Sequence, residues 1–430
     1  MEVIKVKDLK PGMAFSRTLY VDPYNKLIDK EVPITEAIIT TLNLWNIKEV
    51  ETDGYRLFSN DSSLRENYEQ TELVGIYNGT DSTIQTASDM KIIEEKLERE
   101  KRNKKLLQEL SKGDIAPVYV NPQIQRLYNS AKEVVRDSIK HIRDRKRIDK
   151  SDLVAIVEKL YNSLDSNKLD LLRIIFNDNK EYNYSNYLYN QHIDTCIFSL
   201  IIAKQLKFDM KTKDNLGIGA LLHDIGMFII PQYITEKSGF LTETEYDKIK
   251  THPFLGYKVL LQVAKLSHNI GIIVLHHQEL YDGSGYPKGL SGNNINYLAR
   301  IVTIASVFSA LIRVRTYRDR EKPSIALTKM LRDLKNKFDP KLISTFLHSI
   351  GLYPPATYVL LSNGYTGEVI EANPDKPKEP KVAVLFDENG MPQSKNEIID
   401  ISKEQDIIIN QALSKFEFEK MIVDKHEKLQ

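Results

Sequence analysis

With 430 residues the chain is longer than one hydrophobic core usually organises, so two or three domains are expected, and a hydrophobic content of 41% is enough to build them. Sixty basic residues against 59 acidic ones leave a net charge of +1, which excludes a bulk electrostatic grip on a nucleic-acid polymer and leaves any anionic ligand to a local basic cluster. A single cysteine, Cys196, excludes an internal disulfide framework and an Fe–S cluster, fits a reducing compartment, and leaves metal ligation to histidine and carboxylate.

From Met1 to about Asp53, Val3-Ile4 with Val6 and then Thr18-Leu19-Tyr20-Val21 predict short strands broken by a turn at Pro11-Gly12-Met13, followed by an amphipathic helix from Thr35 to Trp45. Residues 1–58 are therefore expected to form a small α/β module. Residues 59–121 read as a polar linker and a charged connecting helix, Met90 to Leu110, whose apolar stripe is interrupted. That helix is either solvated or a surface for homodimerisation. From 122 to 350 apolar residues recur at three- and four-residue spacing, as in Leu153-Ile156-Val157-Leu160 and Ile301-Ile304-Ala305-Phe308, which predicts a helical bundle. In residues 351–430 the pattern becomes alternating strands, Tyr358–Leu361, Gly367–Ile370 and Val382–Phe386, punctuated by Asn363-Gly364 and Asn389-Gly390 and ending in a helical tail: a small β module. The N-terminus carries no apolar signal region, and the longest apolar run, Ile301 to Ile312, is too short for a bilayer. No membrane span and a cytoplasmic location are expected.

Chemistry concentrates in the bundle. His223-Asp224, His252 and His276-His277 are five strong metal ligands within one helix-rich stretch, set among apolar neighbours such as Ala220-Leu221-Leu222 and Ile272-Ile273-Val274-Leu275. An adjacent His-Asp pair lets the carboxylate bridge two ions while the imidazole binds one of them. Two divalent ions about 3.5–4 Å apart suit phosphodiester hydrolysis. Downstream, Gly283-Ser284-Gly285-Tyr286-Pro287 predicts a tight loop able to bring backbone N–H groups and an aromatic ring to a pocket rim.

Taken together, these motifs resemble the HD-GYP family, the cyclic di-GMP phosphodiesterase branch of the HD superfamily of metal-dependent phosphohydrolases. The similarity runs from about Tyr187 to Asp339 and takes in Leu221–Gly226, Leu241-Thr242, His252-Pro253, the double histidine, the Tyr286-Pro287 loop, Ala299-Arg300-Ile301 and Arg315–Arg318. Leu9–Met13 resembles, more weakly, an accessory module often found ahead of this domain. The resemblance implies a mainly α fold: a helical HD-type metal domain flanked by a small N-terminal α/β module and a small C-terminal β module. It implies His223, Asp224, His252, His276 and His277 as metal ligands and Tyr286, Arg315 and Arg318 as nucleotide-binding residues. It also implies cyclic di-GMP as ligand, hydrolysed in the family to pGpG or GMP, and a signalling protein as a partner for the Tyr286 loop.

The departures from the family pattern are grouped. Its first ligand histidine is Gln191 here, its last aspartate is Ser306, the lysine after His-Asp-Ile-Gly is Met227, and the glutamate of three-metal members is Tyr187. In the family the first histidine, the His-Asp pair and the last aspartate hold one ion; the shared aspartate with the later histidines holds the other. Only the second set survives intact. The expectation is one ion of Fe, Mn or Zn and a degenerate member that binds the nucleotide or a partner with little or no hydrolysis, the alternative being an active phosphodiesterase. Two neighbours on the Gln191 helix, His192 at about 100° and Asp194 at about 60° around the axis, are the candidates for restoring the first site after a local shift or π-bulge.

Overall fold

The computed structural model describes residues 2–57 with interruptions, and 120–177, 184–237, 241–313, 321–393, 397–404 and 406–427. The molecule divides into two compact units, Met1–Glu94 and Glu95–Gln430. The predicted helix over Thr35–Trp45 falls largely, and that over Met90–Leu110 wholly, outside the described residues, as do Arg315 and Arg318.

In the first unit four strands, β1 (Glu2–Lys5), β3 (Leu19–Asp22), β4 (Asn25–Ile28) and β5 (Glu49–Thr52), form an antiparallel sheet of order β1-β5-β3-β4. The short strands β2 (Ala14–Phe15) and β6 (Arg56–Leu57) pair separately. The turn before β2 carries Gly12 at φ +84°, where a side chain would be strained, and Val6, Leu9, Met13, Phe15, Leu19, Ile34 and Val50 close a small core.

The second unit is built on helices α1 (Pro122–Arg143), α2 (Lys150–Ser166), α3 (Lys168–Asn177), α4 (Tyr184–Gln205), α5 (Met210–Leu221), α6 (Glu243–Lys250), α7 (His252–Gln262), α8 (His268–His276), α9 (Tyr297–Leu311), α10 (Pro323–Arg332) and α11 (Pro340–Ile350). Their starts are written in capping residues. Asn121, Asp149, Asp209, Asn296 and Asp339 each accept from backbone N–H groups of the first turn, and Thr242 with Glu245 forms a reciprocal capping box on α6. Helix α4 is central, packed by α1, α2, α5, α9 and α11. Phe198 on α4, Phe308 on α9 and Phe346 on α11 meet edge-on with centroids 4.9–6.0 Å apart at the middle of the core.

A helix surrounded on all sides should be apolar all round. Yet α4 buries Asn190, Gln191, His192, Asp194, Thr195 and Ser199. So many polar groups inside one helix mark the place where packing gives way to chemistry.

After α11 the chain enters a five-stranded antiparallel sheet, β7 (Tyr358–Leu361), β8 (Thr366–Glu371), β9 (Lys381–Phe386), β10 (Ile398–Asp400) and β11 (Ile409–Leu413), in the order β10-β9-β8-β7-β11. Asn363-Gly364 makes the β7–β8 turn, with Gly364 at φ +86° and Tyr365 N–H donating to Asn363 Oδ1 at 3.1 Å. A final helix, α12 (Lys415–Glu427), packs Phe418 on Tyr358 at 4.3 Å between ring centroids. The sheet is tied to the bundle by Arg173 of α3, which donates twice to the buried Glu368 carboxylate of β8, at 2.6 and 2.9 Å. No helix among the described residues is long and apolar enough to cross a membrane.

Candidate metal centre

Three helix junctions converge on Asp224. Helix α5 ends at Leu221, and His223-Asp224 follow in the turn that opens a short 3-10 segment, Ile225–Ile229. That segment lies flush on the start of α7: a Cβ on Gly226 would come within 2.0 Å of the His252 carbonyl oxygen and 2.8 Å of Gly256 N. Only glycine permits the approach that sets Asp224 against His252, the first residue of α7. His276 ends α8 and His277 follows it.

The geometry is organised by Asp224. Its Oδ2 lies 3.1 Å from His223 Nε2, while its Oδ1 lies 3.1 Å from His252 Nε2 and 3.0 Å from His277 Nε2. His252 and His277 bring their Nε2 atoms within 3.3 Å of each other. Each of the three rings has its other nitrogen taken: Nδ1 donates to the carbonyl three residues back, His223 to Ala220 at 2.8 Å, His252 to Ile249 and His277 to Val274 at 2.7 Å. A backbone carbonyl on Nδ1 fixes the tautomer that presents an Nε2 lone pair, the usual support of a metal-ligating histidine.

Lone pairs facing a carboxylate at 3 Å repel unless a cation lies among them. Protonating the rings is disfavoured at His277, because burial pushes this imidazole down to about 4 even though Asp224 opposes the shift. Burial works to raise Asp224, but the His223, His252 and His277 rings around it hold its carboxyl well below the usual carboxylate range. A neutral His277 beside an ionised, buried carboxylate suits a divalent cation. His223, Asp224 and His277 place their ligand atoms within 4.8 Å of one another.

The other expected residues divide. His276 is not brought to Asp224; its Nδ1 accepts from Asn296 N–H at 3.2 Å, which leaves the proton on Nε2, and burial and the Lys288 charge lower its pKa. Ser306 of α9 stands beside His223, Oγ to Nε2 3.4 Å, where the family resemblance expects a carboxylate. Gln191 and Tyr187 are buried on α4, and Met227 is half-buried after the His-Asp turn. Tyr286 packs edge-on against His252 at 6.1 Å; burial pushes its phenol up, with Tyr246 and Asp224 adding to the effect. Asp194 is fully engaged, its Oδ1 accepting from Tyr128 OH at 2.7 Å and its Oδ2 from Arg313 Nε.

Two supporting residues escaped the sequence reading. Glu279, almost completely buried, accepts from Lys288 N–H at 2.8 Å and Leu290 N–H at 2.9 Å and so closes the Tyr286 loop. The loop also needs Gly285, where a Cβ would lie 2.3 Å from Leu280 N. Thr303 shares its hydroxyl proton between the His277 carbonyl at 2.8 Å and the Ala299 carbonyl at 2.9 Å, pinning the double-histidine turn to α9. An acidic residue two positions after His277 was the available signal for the first; Thr303, one turn before Ser306 on the same helix face, was the signal for the second.

Residues 180–342 match the HD domain family, and residues 358–421 match a KOW domain associated with HD domain. The chain is 30% identical over 217 residues to the cyclic di-GMP phosphodiesterase PA4108 of Pseudomonas aeruginosa, a match covering 50% of this chain and 52% of that protein. It is 37% identical over 148 residues to the cyclic di-GMP phosphodiesterase response regulator RpfG of Xanthomonas campestris, covering 34% and 39%. Against a solved structure, Bd1817, a HDG"Y"P protein from Bdellovibrio bacteriovorus, the alignment covers 80% of this chain and 97% of that one, at 18% identity and a TM-score of 0.41. The chain thus spans about half the length of PA4108 and less of RpfG.

Proposed function

We propose that this chain, which carries an HD domain over residues 180–342 similar to those of cyclic di-GMP phosphodiesterases, is an HD-GYP-type protein of cyclic di-GMP signalling that binds the nucleotide, or a signalling partner, with little or no hydrolysis. The observation that carries the reading is the asymmetry about Asp224. On its Oδ1 side His252 and His277 converge with their Nδ1 atoms tied; on its Oδ2 side His223 faces the neutral Ser306. On the Oδ1 side Asp224, His252 and His277 would hold one Fe, Mn or Zn ion tightly. When bound, such an ion supplies Lewis-acid stabilisation for a phosphate oxygen.

The protein's own groups then divide the labour of binding. Tyr286, packed against His252 at the mouth of the Glu279-closed loop, offers an aromatic surface for a guanine base; Arg315 and Arg318 are proposed as the phosphate contacts, since a guanidinium fork matches phosphate oxygens. Hydrolysis also needs a second cation and an acid for the leaving oxygen. Ser306 withholds the charge that would anchor the former, and Met227 stands where a lysine would provide the latter. The relatives' names favour a second reading, turnover to pGpG or GMP.

One assay separates the two. Mn- or Fe-loaded protein incubated with cyclic di-GMP is expected to give saturable binding by calorimetry and product formation about a hundredfold or more below that of a variant with the missing charges restored. Sustained turnover by the unaltered chain, abolished by His277→Ala, establishes the phosphodiesterase instead. Absence of nucleotide binding defeats the phosphodiesterase and the nucleotide-receptor readings and leaves only a signalling partner as ligand.

A further inference from the structure

His192 is the one histidine of the buried cluster to which the resemblance assigns no role. It sits on α4 one residue after the position expected to hold the first ligand, and it is completely buried. Its Nδ1 donates to the Leu221 carbonyl at 2.7 Å, across 29 residues of sequence. This is the same backbone lock that His223, His252 and His277 carry, and it leaves the lone pair on Nε2. That Nε2 is buried and has no hydrogen-bond partner. An enclosed acceptor without a donor is costly to maintain, so packing alone accounts poorly for it. The exposed rings of His141 and His348 also donate to carbonyls, but to their own helices and with water available to the other nitrogen.

The placement of the ring is specific. Its centroid lies 5.1 Å from that of His223, and the ring stacks against Phe228 at 5.9 Å. The His223–His277 and His252–His277 pairs, whose Nε2 atoms all reach Asp224, have centroids 5.1 and 5.2 Å apart. Two imidazoles binding one ion at about 2.0–2.1 Å per Zn–N bond put their centroids about 5 Å apart. Asp194, the other neighbour able to substitute, is held by Arg313 and Tyr128 and is not available.

We infer that His192 Nε2 replaces the missing histidine ligand, so that His192, His223, Asp224 Oδ2 and the Ser306 hydroxyl form a second, weaker divalent-metal site beside the tight one. The site needs no π-bulge, since α4 is unbroken α-helix from Tyr184 to Gln205. The neutral hydroxyl in place of a carboxylate makes it weaker than its neighbour without abolishing it. This inference rests on the metal-binding part of the functional reading and is independent of nucleotide.

The test is a metal titration of the full, chelator-stripped chain with Mn2+. Two events are expected, the second at least about a hundredfold weaker, and in His192→Gln the second weakens about tenfold or more or disappears while the first persists and reports an intact fold. A single event in the unaltered protein up to millimolar Mn2+, or an unchanged second event in His192→Gln, overturns the inference. A measurement without substitution guards against a variant that does not fold. With Zn2+ in the tight site and Mn2+ added to the weak one, electron spin-echo modulation should count two imidazole nitrogens on Mn2+, whereas one nitrogen or none overturns it. Neither readout involves cyclic di-GMP, so failure of nucleotide binding and failure of the His192 site are separable.

Discussion

The two flanks of Asp224 are built by opposite strategies. On the Oδ1 flank the ligands come from the N-terminus of α7 and the residue after α8, each ring locked to a carbonyl three residues back, with Gly226 and Thr303 fixing the backbones behind them. On the Oδ2 flank His223 meets the Ser306 hydroxyl, and His192 of α4, locked to the Leu221 carbonyl, brings its ring centroid within 5.1 Å of that of His223. The contrast teaches that the shape of a metal site resides in backbone hydrogen bonds to the ligands, whereas its strength resides in charge. Both flanks keep their backbone locks, but on the Oδ2 flank the neighbour of His223 is the neutral Ser306 hydroxyl.

Asp224→Asn gives the largest effect, because it removes the only carboxylate that the two flanks share. Metal content by plasma mass spectrometry is expected to fall from about one ion per chain to a small fraction, a loss of more than the tenfold to hundredfold that follows removal of a mere supporting group. Retention of the tight ion would mean that imidazoles alone hold it and that the flanks are not linked through Asp224. Next in size is the combined change Ser306→Asp, Gln191→His and Met227→Lys, which restores charge to the weak flank. The second ion should tighten by about two orders of magnitude and turnover of cyclic di-GMP should rise with it. Unchanged affinity would show that charge is not what separates the two sides.

Gly226→Ala attacks the strong flank through its backbone. The added methyl has no room between the His-Asp turn and His252, and both contacts are backbone atoms that cannot step aside. Loss of about 1–3 kcal/mol of stability is expected, with a matching drop in tight-ion affinity. If only stability falls, the close approach serves packing and not ligand placement.

Acidification probes both flanks at once. Burial lowers His277 to about 4 and His192 to about 3, so below pH 6.5 the unfolded chain takes up protons that the folded chain refuses. The metal-free protein therefore loses stability as pH falls from 6.5 toward those values, by about 1.4 kcal/mol per pH unit for each ring. Thermal melts of chelated protein should show that slope, and His277→Gln should reduce it by one ring's share. An unaltered slope would place the refused protons elsewhere.

Much of this was legible in the chain and part was not, for a physical reason. The grouping of His223-Asp224, His252 and His277 was legible because strong donors set among apolar neighbours stand out, and the strand at Val382–Phe386 because a half-buried sheet alternates. What stayed hidden depends on through-space partners. His192 and Asp194 look equivalent beside Gln191 until Leu221 is seen to lock one and Arg313 to occupy the other. His276 reads as the twin of His277 until Asn296 N–H claims its Nδ1. The Arg173–Glu368 pair that joins bundle and sheet spans 195 residues, beyond the reach of any local pattern.

Thr303 supplies the finest test of the comparison, because it touches the strong flank without touching a ligand atom. Its hydroxyl donates to the carbonyl of His277 itself, so Thr303→Val keeps the volume and removes the donor. If ligand geometry is stored in the backbone, the tight ion should weaken about tenfold while the weak one is unmoved, because α9 would still carry Ser306 toward His223. The stability cost should be only about 1 kcal/mol, the range of a single neutral hydrogen bond. Competitive metal titration of the variant reads both sites in one experiment. Equal weakening on the two flanks would show that α9 as a whole had shifted, and the distinction between stored shape and stored charge would then have to be redrawn at the level of helix packing.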